Sequence, residues 1–216
     1  MDWDDYWANN KEGGLYSFIA SIYRKFIIKR ALNHYAKRCF PEKGLILHAG
    51  CGSGQVDEEL KKVYKLVSLD ISWKAVSIYK KNNPENDKVV RGSIFHLPFA
   101  DNSFDGVYNL GVMEHFCMID IQASLKEIKR VLKKNGTVLI FWPPEFGISV
   151  VFLKIVRFLF KTFLNRDCEL HPEEVSRLRS KKEAVKIFEQ AGFRVEKIFF
   201  NILDFFTMIV IVAKKP

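Results

Sequence analysis

Leu45-Ile46-Leu47-His48-Ala49-Gly50-Cys51-Gly52-Ser53-Gly54, followed by Leu66-Val67-Ser68-Leu69-Asp70, reads as strand, glycine turn, helix, strand and carboxylate. Leu45 to Leu47 is a short buried-strand pattern. Glycines at 50, 52 and 54 permit positive φ where the chain turns sharply, and they let a ligand approach the backbone. A helix expected over 54–62 would present free N–H groups at its start. Asp70 stands at the tip of the second strand, where an acid can accept hydrogen bonds from both hydroxyls of a ribose. A nucleoside-containing ligand is therefore expected; the competing reading is a tight turn with no ligand. The spacing is G-x-G-x-G, with Gln55 following, so the third glycine of the dinucleotide pattern G-x-G-x-x-G is displaced and a nicotinamide cofactor is disfavoured.

A second block narrows the choice. Val89-Val90-Arg91-Gly92-Ser93-Ile94-Phe95-His96-Leu97-Pro98-Phe99 runs into Ser103-Phe104-Asp105-Gly106-Val107-Tyr108-Asn109-Leu110-Gly111-Val112-Met113-Glu114-His115-Phe116. With the glycine turn and Asp70, this resembles the class I S-adenosylmethionine-dependent methyltransferases, and within them the small-molecule group that includes the ubiquinone/menaquinone-biosynthesis type. The resemblance is clear over 44–142 and weak beyond. It implies S-adenosylmethionine as cofactor, with S-adenosylhomocysteine as product. It implies that the stretch from His48 through Gly50, Cys51, Gly52 and Gly54 surrounds the methionine part, that Asp70 holds the ribose and that Ile71 packs on the adenine. Ser93 and Ile94 would flank the adenine edge, and Asn109 and Leu110 would approach the methionine amine or the methyl group. Two positions depart from the family pattern: His48 stands where an acid is usual, and Ser93 where Asp is usual. Those departures suggest weakened cofactor affinity or a variant geometry, and they keep a catalytically degenerate cofactor-binding or interaction protein as an alternative.

The remaining elements fit an alternating α/β order. Tyr16 to Lys37 is apolar at helical spacing and predicts one long helix. Strands are expected near 45–49, 65–70, 88–92, 105–110 and 136–142, with helices near 54–62, 73–81 and 120–133. Asn135-Gly136 forms a turn into the fifth strand, which Pro143-Pro144 stops. Lys181 to Gln190 is a further helix with Gly192 as its cap, and 193–199 and 207–214 are expected to pair antiparallel. Alternating βα units imply a doubly wound, mostly parallel sheet with the ligand at the carboxyl ends of its strands. The resemblance implies seven strands in a Rossmann-like methyltransferase fold. The chain is read as one domain, 1–216: an N-terminal helical cap (1–43), a cofactor-binding core (44–142), a lid-like helical insert (143–180) and a C-terminal helix with a strand pair (181–216).

Composition bounds the class. A chain of 216 residues with 48% apolar content has room for one real core. Met1-Asp2-Trp3-Asp4-Asp5 is acidic and aromatic, unlike a signal or transit peptide. The four cysteines (39, 51, 117 and 168) form no C-x-x-C, which fits a reduced cytoplasm and argues against disulfide frameworks. The net charge of +9 is spread over short lysine pairs rather than an Arg-rich run, so nucleic acid is not the expected partner. RNA or protein methylation is kept as an alternative.

Phe146 to Leu164 is almost wholly apolar, with Lys154, Arg157 and Lys161 on one helical face. It reads as a lid over the substrate site; the other readings are a helix resting on an anionic membrane surface and a dimer contact. The first two favour a small, apolar or lipid-like acceptor. Methyl transfer to oxygen or carbon also needs a base. His115 is the first candidate and His171 the second, each against a bland reading as a turn or surface histidine. Tyr6 and Tyr16 could close over the cofactor. No cluster has metal-ligand spacing, so no metal is expected.

Overall fold

The computed structural model describes residues 2–9, 21–86, 88–151 and 174–216. Its centre is a seven-stranded sheet. In chain order the strands are β1 (Leu45–Ala49), β2 (Lys65–Asp70), β3 (Val89–Arg91), β4 (Phe104–Leu110), β5 (Leu132–Trp142), β6 (Arg194–Phe199) and β7 (Ile209–Lys214). Their spatial order is β3-β2-β1-β4-β5-β7-β6. The first five are parallel; β7 inserts antiparallel beside β5 and pairs antiparallel with β6. This is the seven-stranded, mostly parallel sheet expected from the sequence. The order reverses between β1 and β4, and a crevice opens at the carboxyl ends of strands at such a switch point.

The helices are α1 (Trp3–Asn9), α2 (Lys29–Cys39), α3 (Leu60–Val63), α4 (Trp73–Asn82), α5 (Met118–Val131) and α6 (Lys181–Gln190). Alternate strand residues bury on opposite faces, because strand side chains alternate. Leu47, Val107 and Ile140 pack on one face against Ile121 and Leu125 of α5 and Phe188 of α6. Ile46, Tyr108 and Leu139 pack on the other against Leu32, Tyr35 and Ala36 of α2. Apolar side chains on both faces explain the continuous hydrophobic strands. Ser72 and Ser180 cap α4 and α6 by accepting the Ala75 and Glu183 N–H groups, and Gly192 takes φ +79 just beyond α6.

Three details differ from expectation. The helix expected over 54–62 shrinks to α3, because Gly54 takes φ +67 and Asp57 is drawn inward by buried hydroxyls. The helix expected over 16–37 is described from residue 21 and passes through a π-helical turn, Tyr23–Ile28, before α2. A π turn brings residues five apart onto one side, here Tyr23 and Ile28, and both border the cavity described below. Asn135, expected in a turn before β5, adopts φ +61 inside it, where the pairing with β4 shifts register. The apolar insert lies outside the described residues beyond 151, as do Lys154, Arg157, Lys161 and His171. Among its described residues, Phe146, Ile148 and Val151 are exposed.

Candidate functional site

The glycine turn is fixed to the end of β2. The Gly50 and Cys51 N–H groups both donate to the Leu69 carbonyl, at 2.8 and 2.9 Å. The Gly52 N–H donates to Asp70 Oδ2 at 2.8 Å, and the Ser72 N–H donates to Oδ1 at 3.0 Å. Asp70 is buried, and that burial raises its pKa against the lowering effect of these N–H groups. From behind, Asn82 and Asn83 at the end of α4 donate to the Ser53 and Gly54 carbonyls. Gly54 serves packing: a Cβ there would lie 2.4 Å from the Tyr79 ring.

Beneath the turn is a buried carboxylate that the sequence reading missed. Asp57, fully buried, accepts from the Tyr108 hydroxyl on Oδ1 (2.7 Å) and from the Tyr79 hydroxyl on Oδ2 (2.8 Å). Its Oδ2 also lies 2.8 Å from His48 Nδ1. The β1–β4 register sets His48 opposite Tyr108, and their rings stack at 4.2 Å. An acid therefore sits beneath the turn although position 48 is histidine; it arrives from the following loop.

A cavity of about 340 Å³ opens above this framework. Its lining includes the turn with Asp70 and Ile71, and five aromatic rings, Trp3, Tyr6 and Trp7 of α1 and Phe95 and Phe116 from loops. Helix α1 is placed by a Ser72 Oγ to Asp4 Oδ1 hydrogen bond of 2.5 Å and by the edge of Trp3 on His115, centroids 5.2 Å apart. Trp7 sits directly on Gly52, where a Cβ would come within 2.9 Å of its ring.

Of the residues singled out from the sequence, His48, Gly50, Cys51, Gly52, Gly54, Asp70, Ile71, Ser93, Ile94, Leu110 and His115 all border this cavity. Asn109 does not: its Nδ2 donates to the Ala49 carbonyl at 2.6 Å, tying β4 to β1, and its Oδ1 is buried without a partner. Ser93 Oγ accepts the Phe95 N–H at 3.2 Å, shaping the loop. Burial, reinforced by Asp70 and Asp57, pushes the Cys51 thiol well above its ordinary value, which suits a filler and not a nucleophile. Glu114, passed over in favour of its neighbour His115, is buried at the cavity wall, and burial together with nearby Glu174 pushes its pKa up to about 8. No group of three or more His, Cys, Asp or Glu side chains suited to a metal ion occurs among the described residues. No helix among them is long and apolar enough to cross a membrane.

Residues 47–140 match the methyltransferase domain family. An uncharacterized protein of Methanocaldococcus jannaschii is 34% identical over 96 residues, 44% of this chain and 39% of that one. A demethylmenaquinone methyltransferase of Staphylococcus aureus is 28% identical over 159 residues, 66% of this chain and 65% of that one. The chain thus spans well under two thirds of the length of the first of these relatives. The crystal structure of a SAM-dependent methyltransferase from Methanosarcina mazei superposes with a TM-score of 0.64 at 19% identity, covering 84% of this chain and 96% of that one. That likeness concerns the fold.

Proposed function

We propose that the protein, whose residues 47–140 match the methyltransferase domain family, transfers a methyl group from S-adenosylmethionine to a small acceptor of apolar character. The observation that carries this is a cavity lined both by a glycine turn with a buried carboxylate and by a cluster of aromatic rings. Its volume of about 340 Å³ lies in the range of small-molecule sites, roughly 300–1,000 Å³. The demethylmenaquinone methyltransferase similarity favours an apolar acceptor as well.

The residues fit the cofactor. Gly50 and Gly52 hold the positive φ that the turn requires, and a Cβ at either would collide with Val112 or the Trp7 ring. Asp70 spends one lone pair of each oxygen on the loop and keeps the others for hydroxyl donors. Bound S-adenosylmethionine supplies an activated methyl group on a sulfonium. Asp70 orients the ribose, Ile71 and Ile94 give the adenine an apolar bed, and Trp3, Phe95 and Phe116 exclude water from the reacting side. Alignment of acceptor and methyl supplies most of the acceleration in such a site. His115, which borders the cavity beside Trp3, is the residue we assign to take a proton from an acceptor hydroxyl.

Calorimetric titration with S-adenosylmethionine and S-adenosylhomocysteine tests this, with NADH as control. Both sulfur ligands should bind and NADH should not. Asp70→Asn should weaken both by about 10- to 100-fold, the loss of a charge-assisted hydrogen bond of roughly 1.5–3 kcal/mol. Absence of binding at millimolar ligand would sink the proposal.

A further inference from the structure

The 3₁₀ turn after β4, Met113–His115, buries a carboxyl that the reading above leaves without a role. Glu114 is 5% exposed and borders the same cavity as Gly50, Gly52 and Asp70. Its Oε2 has no hydrogen-bond partner, and its Oε1 lies 3.4 Å from where a Cβ on Gly111 would stand, at the carboxyl end of β4. The main chain is pinned, because the Glu114 carbonyl accepts the Val175 and Ser176 N–H groups at 2.7 and 3.0 Å. Burial disfavours the charged form of an acid, and one oxygen here has no donor, so the group keeps its proton until a cation arrives.

From the segment following residue 173 Glu114 meets Glu174, which is ion-paired with Arg177. Burial, with Glu174, raises its pKa to about 8, and a hydrogen bond from its own backbone N–H and the charge of Arg177 offset only part of that. His48 on β1, Asp70 beyond β2, Arg24 in the π-helical turn and His115 on its own turn border the same cavity. Among the groups near it, Glu174 already has Arg177 opposite, and Asp70 has two N–H donors.

We propose that Glu114 is the charge partner of a cationic ligand in this cavity, neutral without the cation and ionised with it. The proposal rests on S-adenosylmethionine being the cofactor. Cofactor and product differ by a methyl group and one positive charge, so the pair separates charge from shape. The sulfonium form binds with release of a proton, and the neutral thioether binds with Glu114 still protonated. Glu114 thereby favours cofactor over product.

The test is titration calorimetry of the full chain near pH 7 with S-adenosylmethionine and with S-adenosylhomocysteine, in phosphate and in Tris, whose ionisation enthalpies differ. For the cofactor, the enthalpy should change between buffers by the amount for nearly one proton released per site, and its Kd should fall up to about tenfold per pH unit between roughly pH 6 and 8. For the thioether both dependences should be near zero. In Glu114→Gln the cofactor's buffer dependence should vanish and its affinity should drop toward that of the thioether. Unchanged thioether binding by that variant shows that the site is intact. Equal proton release for the two ligands, none for the cofactor, or undiminished release in the variant would overturn the proposal while leaving the cofactor assignment standing. Failure of both ligands to bind the unaltered protein would overturn both.

Discussion

His48 and Asp57 form a couple sealed beneath the glycine turn, Nδ1 to Oδ2 at 2.8 Å, with the imidazole stacked on the very tyrosine that donates to the other carboxylate oxygen. The acid reaches under the turn from a loop, while β1 contributes the imidazole. Two strands, the loop and α4 each contribute one of the four side chains, so the couple locks the floor of the cavity.

Removing that carboxylate should therefore cost more than an ordinary polar substitution. Asp57→Ala strands the Tyr79 and Tyr108 hydroxyls and His48 without their acceptor. Breaking a buried hydrogen-bonded charge costs about 3–5 kcal/mol, which for a chain of this size lowers Tm by roughly 10 °C. Asp57→Asn, which keeps one acceptor oxygen, should lose less. Thermal unfolding followed by circular dichroism decides; a loss within 1–2 °C for the alanine variant would show that the hub contributes little.

Gly52→Ala should act on α1 before it acts on the sheet. The new methyl meets the Trp7 ring at 2.9 Å, and φ +50 strains any L residue. The expected loss is about 1–2 kcal/mol, with a shift in tryptophan emission as Trp7 lifts from the turn. Unaltered emission would contradict the seating of Trp7.

Glu114 should leave a mark on stability versus pH. Its folded pKa, about 8, lies above its unfolded value. The folded state thus holds a proton that the unfolded chain gives up above about pH 4.3. The stability it contributes is fully present below that pH and is lost as pH rises toward 8, at up to about 1.4 kcal/mol per unit. Glu114→Gln should flatten this slope and stand the more stable near pH 8. Urea unfolding at several pH values measures it, and parallel slopes in the two proteins would contradict the assignment.

The strands and the longer helices were readable because their signals are local. The apolar runs at 45–49 and 65–70 and the helix over Lys181–Gln190 coincide with observed elements, each carried by its own periodicity or cap. Asp57 was not readable: its three partners lie 9, 22 and 51 residues away, and only the folded sheet brings them together. Glu114 stood in plain view beside His115. Histidine drew attention because its ordinary pKa lies near neutrality, whereas a glutamate's availability for chemistry depends on burial, which one sequence does not display. The stub α3 follows from the same long-range pull, since the local pattern of 54–62 favoured a full helix.

Helix α1 is held over the glycine turn chiefly by Asp4, which meets the Ser72 hydroxyl, the Lys74 N–H and the Arg91 guanidinium, together with ring contacts. Such an attachment opens far more often than the sheet beneath it unfolds. For anything held under Trp7, residence would then depend on how firmly one aspartate keeps this cover in place as well as on the fit below it.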